Sequence, residues 1–179
     1  MPACVALLRG INVGGHNKLP MADFRQLLEK LGCRDVKTYI QSGNAVFNVD
    51  DVDGLAERIA DAIDRQFGFR PPVLIVGADE LTRVASENPY ADEDVEPKFI
   101  HIAFLLEPAV DANFERIHSL QGRNEQYELT DLAFYLLAPD GIARSKLAAD
   151  VEKCLGVAAT ARNWRSVGKL QEMLDDLPD

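Results

Sequence analysis

Eleven side chains in four short stretches carry the chemistry this sequence can offer: Arg9, Asn12 and Lys18; Ser42 and Asn44; Arg144 and Lys146; and Arg162, Asn163, Trp164 and Lys169. Arginine forks match planar oxyanions such as carboxylate or phosphate. Asparagine can both donate and accept, and a tryptophan face can stack on a ring or a guanidinium. Together these groups point to binding of an anion. Arg9 and Lys18 bracket the glycine-rich run Gly10-Ile11-Asn12-Val13-Gly14-Gly15-His16-Asn17 with no acidic residue between them. A helix predicted just beyond that run would add free backbone N–H groups at its N-terminus, which favour negative charge. Arg144 and Lys146 flank a second predicted helix start, where basic side chains oppose the helix dipole and an anion would offset the penalty.

Other chemistries lack their parts. Gly10 and Gly15 are spaced as in a phosphate-binding P-loop, but His16 and Asn17 stand where lysine and a hydroxyl residue are required. Ser42 lies in Ser-Gly-Asn rather than in a Gly-x-Ser-x-Gly elbow, and no histidine is placed by sequence to activate it. His16, His101 and His118 fall in a loop, an apolar strand and an amphipathic helix, and no His, Cys or carboxylate spacing indicates a metal. The cysteines Cys4, Cys33 and Cys154 are odd in number and read as reduced structural thiols. No cofactor is expected, and no catalytic residue is assigned.

The elements that must position these residues follow from hydrophobic periodicity. Ala3–Leu8 reads as a buried strand. Pro20 suits the first turn of a helix with Met21, Phe24, Leu27, Leu28 and Leu31 on one side. Val36–Ile40 and Ala45–Val49 read as a hairpin turning at Gln41-Ser42-Gly43-Asn44. A helix with Leu55, Ile59, Ile63 and Phe67 on one face follows, and then the strand Val73–Val76. This order recurs after a bridging helix from about Asp79 to Glu87 and an acidic loop. The recurring elements are a strand at Phe99–Leu106, a helix from about Asp111 carrying Phe114, Ile117 and Leu120, strands at Gln126–Leu129 and Ala133–Leu137, a helix from about Ser145 to Leu155, and a short strand at Val157–Thr160. A last helix runs from about Ser166 to Leu177. The expected fold class is α+β: two ferredoxin-like βαββαβ units packed together, with an extra helix after each. The expected division is 1–77, a bridge over 78–98, and 99–179.

The chain has 179 residues, 47% of them apolar, enough for an ordinary core. No apolar run approaches the roughly 20 residues needed to cross a bilayer, and the N-terminus shows no leader pattern, so no membrane partner is expected and the expected location is the cytoplasm. A formal net charge of −10 opposes non-specific attraction to nucleic acid. Against that background, Gly141 to Lys169 holds six basic and two acidic residues, the setting for a local anion site.

The leading reading is a binding protein or enzyme for a small anionic ligand, such as a nucleotide or other phosphorylated metabolite, held between the two halves. Arg9, Asn12 and Lys18 would meet the charge, Ser42 and Asn44 would orient the ligand, and Arg162, Asn163 and Lys169 would close the site. Each residue also has a structural role open to it: Ser42 and Asn44 as turn formers, Trp164 as a packing anchor, the arginines as surface ion pairs. One alternative is an RNA or single-stranded nucleic-acid module using Tyr39, Phe47, Tyr127 and Tyr135, although no RNP-type sequence occurs on the relevant strands. Another is an interaction module whose motifs fasten the halves together.

The segments Ala6-Leu7-Leu8-Arg9-Gly10-Ile11-Asn12-Val13-Gly14-Gly15, Thr38-Tyr39-Ile40-Gln41-Ser42-Gly43-Asn44-Ala45-Val46-Phe47 and Thr160-Ala161-Arg162-Asn163-Trp164-Arg165-Ser166-Val167-Gly168-Lys169-Leu170 resemble the hallmark segments of the bacterial domain-of-unknown-function 1697 (DUF1697) family. The resemblance runs from the first strand to the last helix, with Ser166 standing where threonine is usual. It implies an α+β fold of this length in a cytoplasmic bacterial protein, and no established activity, substrate or catalytic residue.

Overall fold

The computed structural model describes residues 1–178; Asp179, the end of the second expected unit, lies outside them. Among the described residues the chain forms a mixed α+β structure of two four-stranded antiparallel sheets and six α-helices. It divides into two units, Met1–Arg83 together with the segment from Lys169 onward, and Val84–Gly168.

In the first unit, β1 (Ala3–Leu8), α1 (Met21–Lys30), β2 (Arg34–Tyr39), β3 (Asn44–Asn48), α2 (Leu55–Phe67) and β4 (Val73–Gly77) succeed one another, and the sheet runs β2-β3-β1-β4. The run of small and branched apolar residues in β1 places it centrally, paired with β3 on one side and β4 on the other. Cys4, Ala6 and Leu8, alternate residues of β1, join Ala45 and Phe47 of β3 in a buried core with Phe24 and Leu28 of α1 and Leu55, Ile59 and Ile63 of α2. The helical spacing of those five residues supplies the apolar stripe that covers the sheet.

α3 (Ala78–Ser86) contains the division between the units. In the second unit, β5 (Ile100–Leu105), α4 (Phe114–Leu120), β6 (Gln126–Leu129), β7 (Ala133–Leu137), α5 (Lys146–Leu155) and β8 (Ala159–Asn163) give a sheet of order β6-β7-β5-β8. Ala103, Leu105, Phe134 and Leu136 pack there with Ile117, Leu147 and Leu155. The last helix, α6 (Trp164–Asp175), contributes to both units.

Several boundaries shift by a residue or two from the expected ones, and three larger differences bear on the site and its surroundings. β8 occupies Ala159–Asn163 rather than Val157–Thr160, because Ala161, Arg162 and Asn163 continue the ladder opposite Ala103, Ile102 and His101. α6 therefore starts at Trp164 rather than Ser166, and the Arg162–Arg165 run is the end of a strand and the start of a helix, not a loop. α4 begins at Phe114 rather than Asp111, capped by Asn113, whose Oδ1 accepts the Arg116 N–H at 2.9 Å. As its first residue, Phe114 is left 49% exposed while Ile117 is buried.

Candidate functional site

In the first unit the glycine-rich loop and the β2–β3 hairpin are built against each other. Leu8 donates its N–H to the Gly43 carbonyl at 2.9 Å, and Arg9 donates its N–H to the Pro72 carbonyl at 3.1 Å. The loop thus leaves β1 anchored on both sides. Asn12 then sits in the left-handed region, at φ 53°, and its amide acts as a clamp. Oδ1 accepts the Leu19 N–H at 2.8 Å, while Nδ2 donates to the Leu19 carbonyl at 2.9 Å and to the Gln41 carbonyl at 2.8 Å. Both donors of that amide are committed to the chain's own backbone, so Asn12 shapes the loop and cannot donate to a ligand as expected.

The hairpin has the same character. Asn44 is fully buried, and its Nδ2 donates to Ser42 Oγ at 2.8 Å and to the Tyr39 carbonyl at 3.2 Å. A ligand cannot reach that amide. Asn44 is therefore a turn-closing residue, and Ser42, half-buried beside it, is its partner. Gly43 lies at φ 80°, and a Cβ there would come within 2.7 Å of Leu8 Cβ and 2.8 Å of Ile11 Cδ1. Only glycine permits that approach.

What the clamp leaves open is a recess of about 650 Å³ lined by Asn12, Gly15, Lys18, Pro20, Met21, Ala22 and Gln41. Pro20 is the N-cap of α1, and no side chain caps that end of the helix. The first N–H groups of α1 have no intrahelical acceptors. Lys18, exposed on the recess, is the member of the expected set that can meet a negative charge there. Met21, Ala22 and Gln41 were not in that set. Pro20 was the available signal, because proline in a first turn marks where free N–H groups begin.

Lys169, expected to act from the second half, groups with the first unit. It is exposed and donates to Glu172 Oε2 at 2.9 Å, one turn along α6, and that carboxylate raises its pKa. Arg144, Lys146, Arg162, Asn163 and Trp164 belong to the second unit. Between Arg144 and Lys146, Ser145 is buried and its Oγ accepts the Ala148 N–H at 3.0 Å. The start of α5 is thereby capped by its own chain, which satisfies part of what an anion would have offered. Asn163 is likewise the cap of α6, its Oδ1 accepting the Ser166 N–H at 2.9 Å. Arg162 is half-buried on β8, with Nη1 donating to the Ala161 carbonyl at 2.8 Å, and burial lowers its pKa to about 10. Trp164, half-buried, is the first residue of α6.

All three cysteines are buried free thiols, and burial raises Cys33 to about 11, so it is not a nucleophile near neutral pH. Among the described residues no three His, Cys, Asp or Glu side chains gather in a way that could hold a metal ion, and no helix is long and apolar enough to cross a membrane.

A mixed α+β chain with a glycine-rich loop clamped to a Ser-Gly-Asn hairpin is the class these features define. The family model described as "Protein of unknown function (DUF1697)" matches residues 1–135, and the chain belongs to that family. The matched region contains the loop and the hairpin and ends within β7, before β8 and α6. Among solved structures, the chain is similar to the conserved bacterial protein SP0830 from Streptococcus pneumoniae, at 24% identity and a TM-score of 0.72, over 97% of this chain and 98% of that one. At that identity the likeness concerns the fold. No curated protein matches the chain.

Proposed function

We propose that the protein binds a small anionic ligand and that the recess between the Gly10–Lys18 loop and the start of α1 receives its charged group. The observation that carries this reading is the coincidence, on one recess, of an exposed lysine and a helix N-terminus without a side-chain cap. The positive end of the helix and the Lys18 ammonium would act on the same group, and a phosphate or carboxylate is the chemistry they suit. A recess of about 650 Å³ falls within the size range of small-molecule sites. In this reading Asn12, Ser42 and Asn44 hold the shape of the site and do not touch the ligand. The reading is one of binding, and no residue is given a part in turnover. We also read each unit as a ferredoxin-like fold, which its element order and strand order support, and the protein as one of the bacterial cytoplasm.

The test is an amide-resolved NMR titration of the full chain with inorganic phosphate and a panel of nucleotides and sugar phosphates at low and high salt. Perturbation centred on residues 18 to 23, weakening as ionic strength rises, is expected. Lys18→Glu should reduce affinity by about tenfold or more, since it replaces attraction with repulsion beside the helix end. A folded Lys18→Glu protein that binds the same anion undiminished, or a panel that leaves residues 18 to 23 unmoved, would overturn the reading.

A further inference from the structure

The second unit contains a different kind of cavity. Beneath the 3-10 turn Ile142–Arg144, a pocket of about 100 Å³ is lined by Ala103 and Leu136 of the sheet, Ala148 and Val151 of α5, and Ile142 at its edge. Small side chains leave this space: Ala103, Ala148 and Ala161 line it where larger residues would fill it. The polar group in the lining is His101, the single titratable residue of β5. Its Nε2 is buried and has no hydrogen-bond partner among the described residues. In the neutral ring Nε2 is an acceptor or a donor according to the tautomer, and in either form it calls for a partner.

A buried polar nitrogen without a partner is costly, and native structures rarely leave one. From the pocket and this orphaned nitrogen together, we infer that the second unit binds a small uncharged molecule. The ligand is one ring or a short branched chain carrying a hydroxyl, which can donate or accept; its apolar part lies against Ala103, Leu136 and Val151 and its hydroxyl meets His101 Nε2. The burial that lowers the His101 pKa keeps the ring neutral, which suits an uncharged partner. An anion is excluded by the apolar lining, so this ligand differs in class from the one assigned to the first unit, and either assignment can fail without the other. Ile142, 38% exposed, stands at the edge from which such a molecule would enter.

Phenol and its isostere toluene are the probes, titrated into the full chain and followed by amide shifts and by the imidazole ¹⁵N signals of His101. Phenol should saturate a site at Ala103, Ala148 and Ile142 and move the Nε2 resonance. Toluene should bind about tenfold more weakly, because it cannot supply the hydrogen bond. His101→Leu should abolish the difference between the two. Ala148→Leu should exclude both while leaving the amide signals away from the pocket unchanged, which separates filling of the pocket from loss of the fold. The inference is overturned if phenol perturbs other residues or none, if His101→Leu still prefers phenol to toluene, or if a water already held at Nε2 stays in place as phenol is added.

Discussion

Gly43 and Gly10 both have positive φ, 80° and 70°, but their surroundings differ in a way that separates two costs. A Cβ on Gly10 would meet nothing within 4 Å, so Gly10→Ala carries only the backbone penalty, about 1–2 kcal/mol. At Gly43 the added carbon also collides with Leu8 and Ile11, both buried and unable to retreat. Gly43→Ala should therefore cost about 2–4 kcal/mol in all, the sum of the backbone penalty and an overpacking penalty. Urea unfolding of the two variants checks the ordering, and equal losses would mean the hairpin can shift off β1. Ile40 is the opposite case. It is a β-branched residue at φ 48°, half exposed, at the start of the same turn. Exposure means that little packing holds it there, while the left-handed region disfavours its branched side chain. Ile40→Asn should stabilise the chain by about 1 kcal/mol, raising the thermal midpoint by roughly 2–4 °C. A lower midpoint would show that the Ile40 side chain makes a contact worth more than the strain.

At the scale of elements, the loop and the hairpin are one assembly joined through Asn12. Its amide satisfies both backbone groups of the fully buried Leu19 and reaches Gln41 on the hairpin. Asn12→Asp keeps the size of the side chain and its tolerance of the left-handed region, yet replaces both donors with an acceptor facing two carbonyls. The expected loss is about 2–3 kcal/mol, together with faster amide exchange through residues 10 to 19; an unchanged exchange pattern would refute the clamp. This residue also shows where sequence reading stops. The strands and helices around it were legible, because Phe24, Leu27 and Leu28, or Leu55, Ile59 and Ile63, repeat with a helical period that survives in three dimensions. The chemistry of Asn12 was not, because its partners are carbonyls 7 and 29 residues away, and a backbone carbonyl leaves no mark on residue type. Asn44 in a hairpin and Asn163 before a helix were similarly ambiguous between ligand and scaffold; the burial of Asn44 and the cap that Asn163 Oδ1 gives α6 are the scaffold roles the structure adds. Lys18 lines the recess beside the start of α1, a neighbourhood readable from sequence because the lysine and the proline that begins the helix lie two residues apart.

For the whole molecule, the chain passes from the first unit to the second inside α3 and returns inside α6, so the first unit is completed only by the last residues of the chain. Two contacts mark that completion. Lys37 Nζ donates to the Asp176 carbonyl at 2.9 Å, and Asn48 Nδ2 donates to the Pro178 carbonyl at 2.9 Å. The first is exposed, where such a bond adds little. The second matters more, because Asn48 is only 5% exposed and its other acceptor, Asp35 Oδ2, is at a long 3.3 Å. Ending the chain at Asp175 should cost about 1–2 kcal/mol, most of it from the Asn48 donor left buried without a good acceptor. If that is the source, the loss depends on Asn48. In an Asn48→Ala background the same truncation should cost less than half as much, because no donor remains to be orphaned. Thermal unfolding of the four proteins in this cycle measures the coupling. Equal truncation costs in both backgrounds would place the effect in the packing of Leu177 instead, and would mean that Asn48 does not sense the end of the chain.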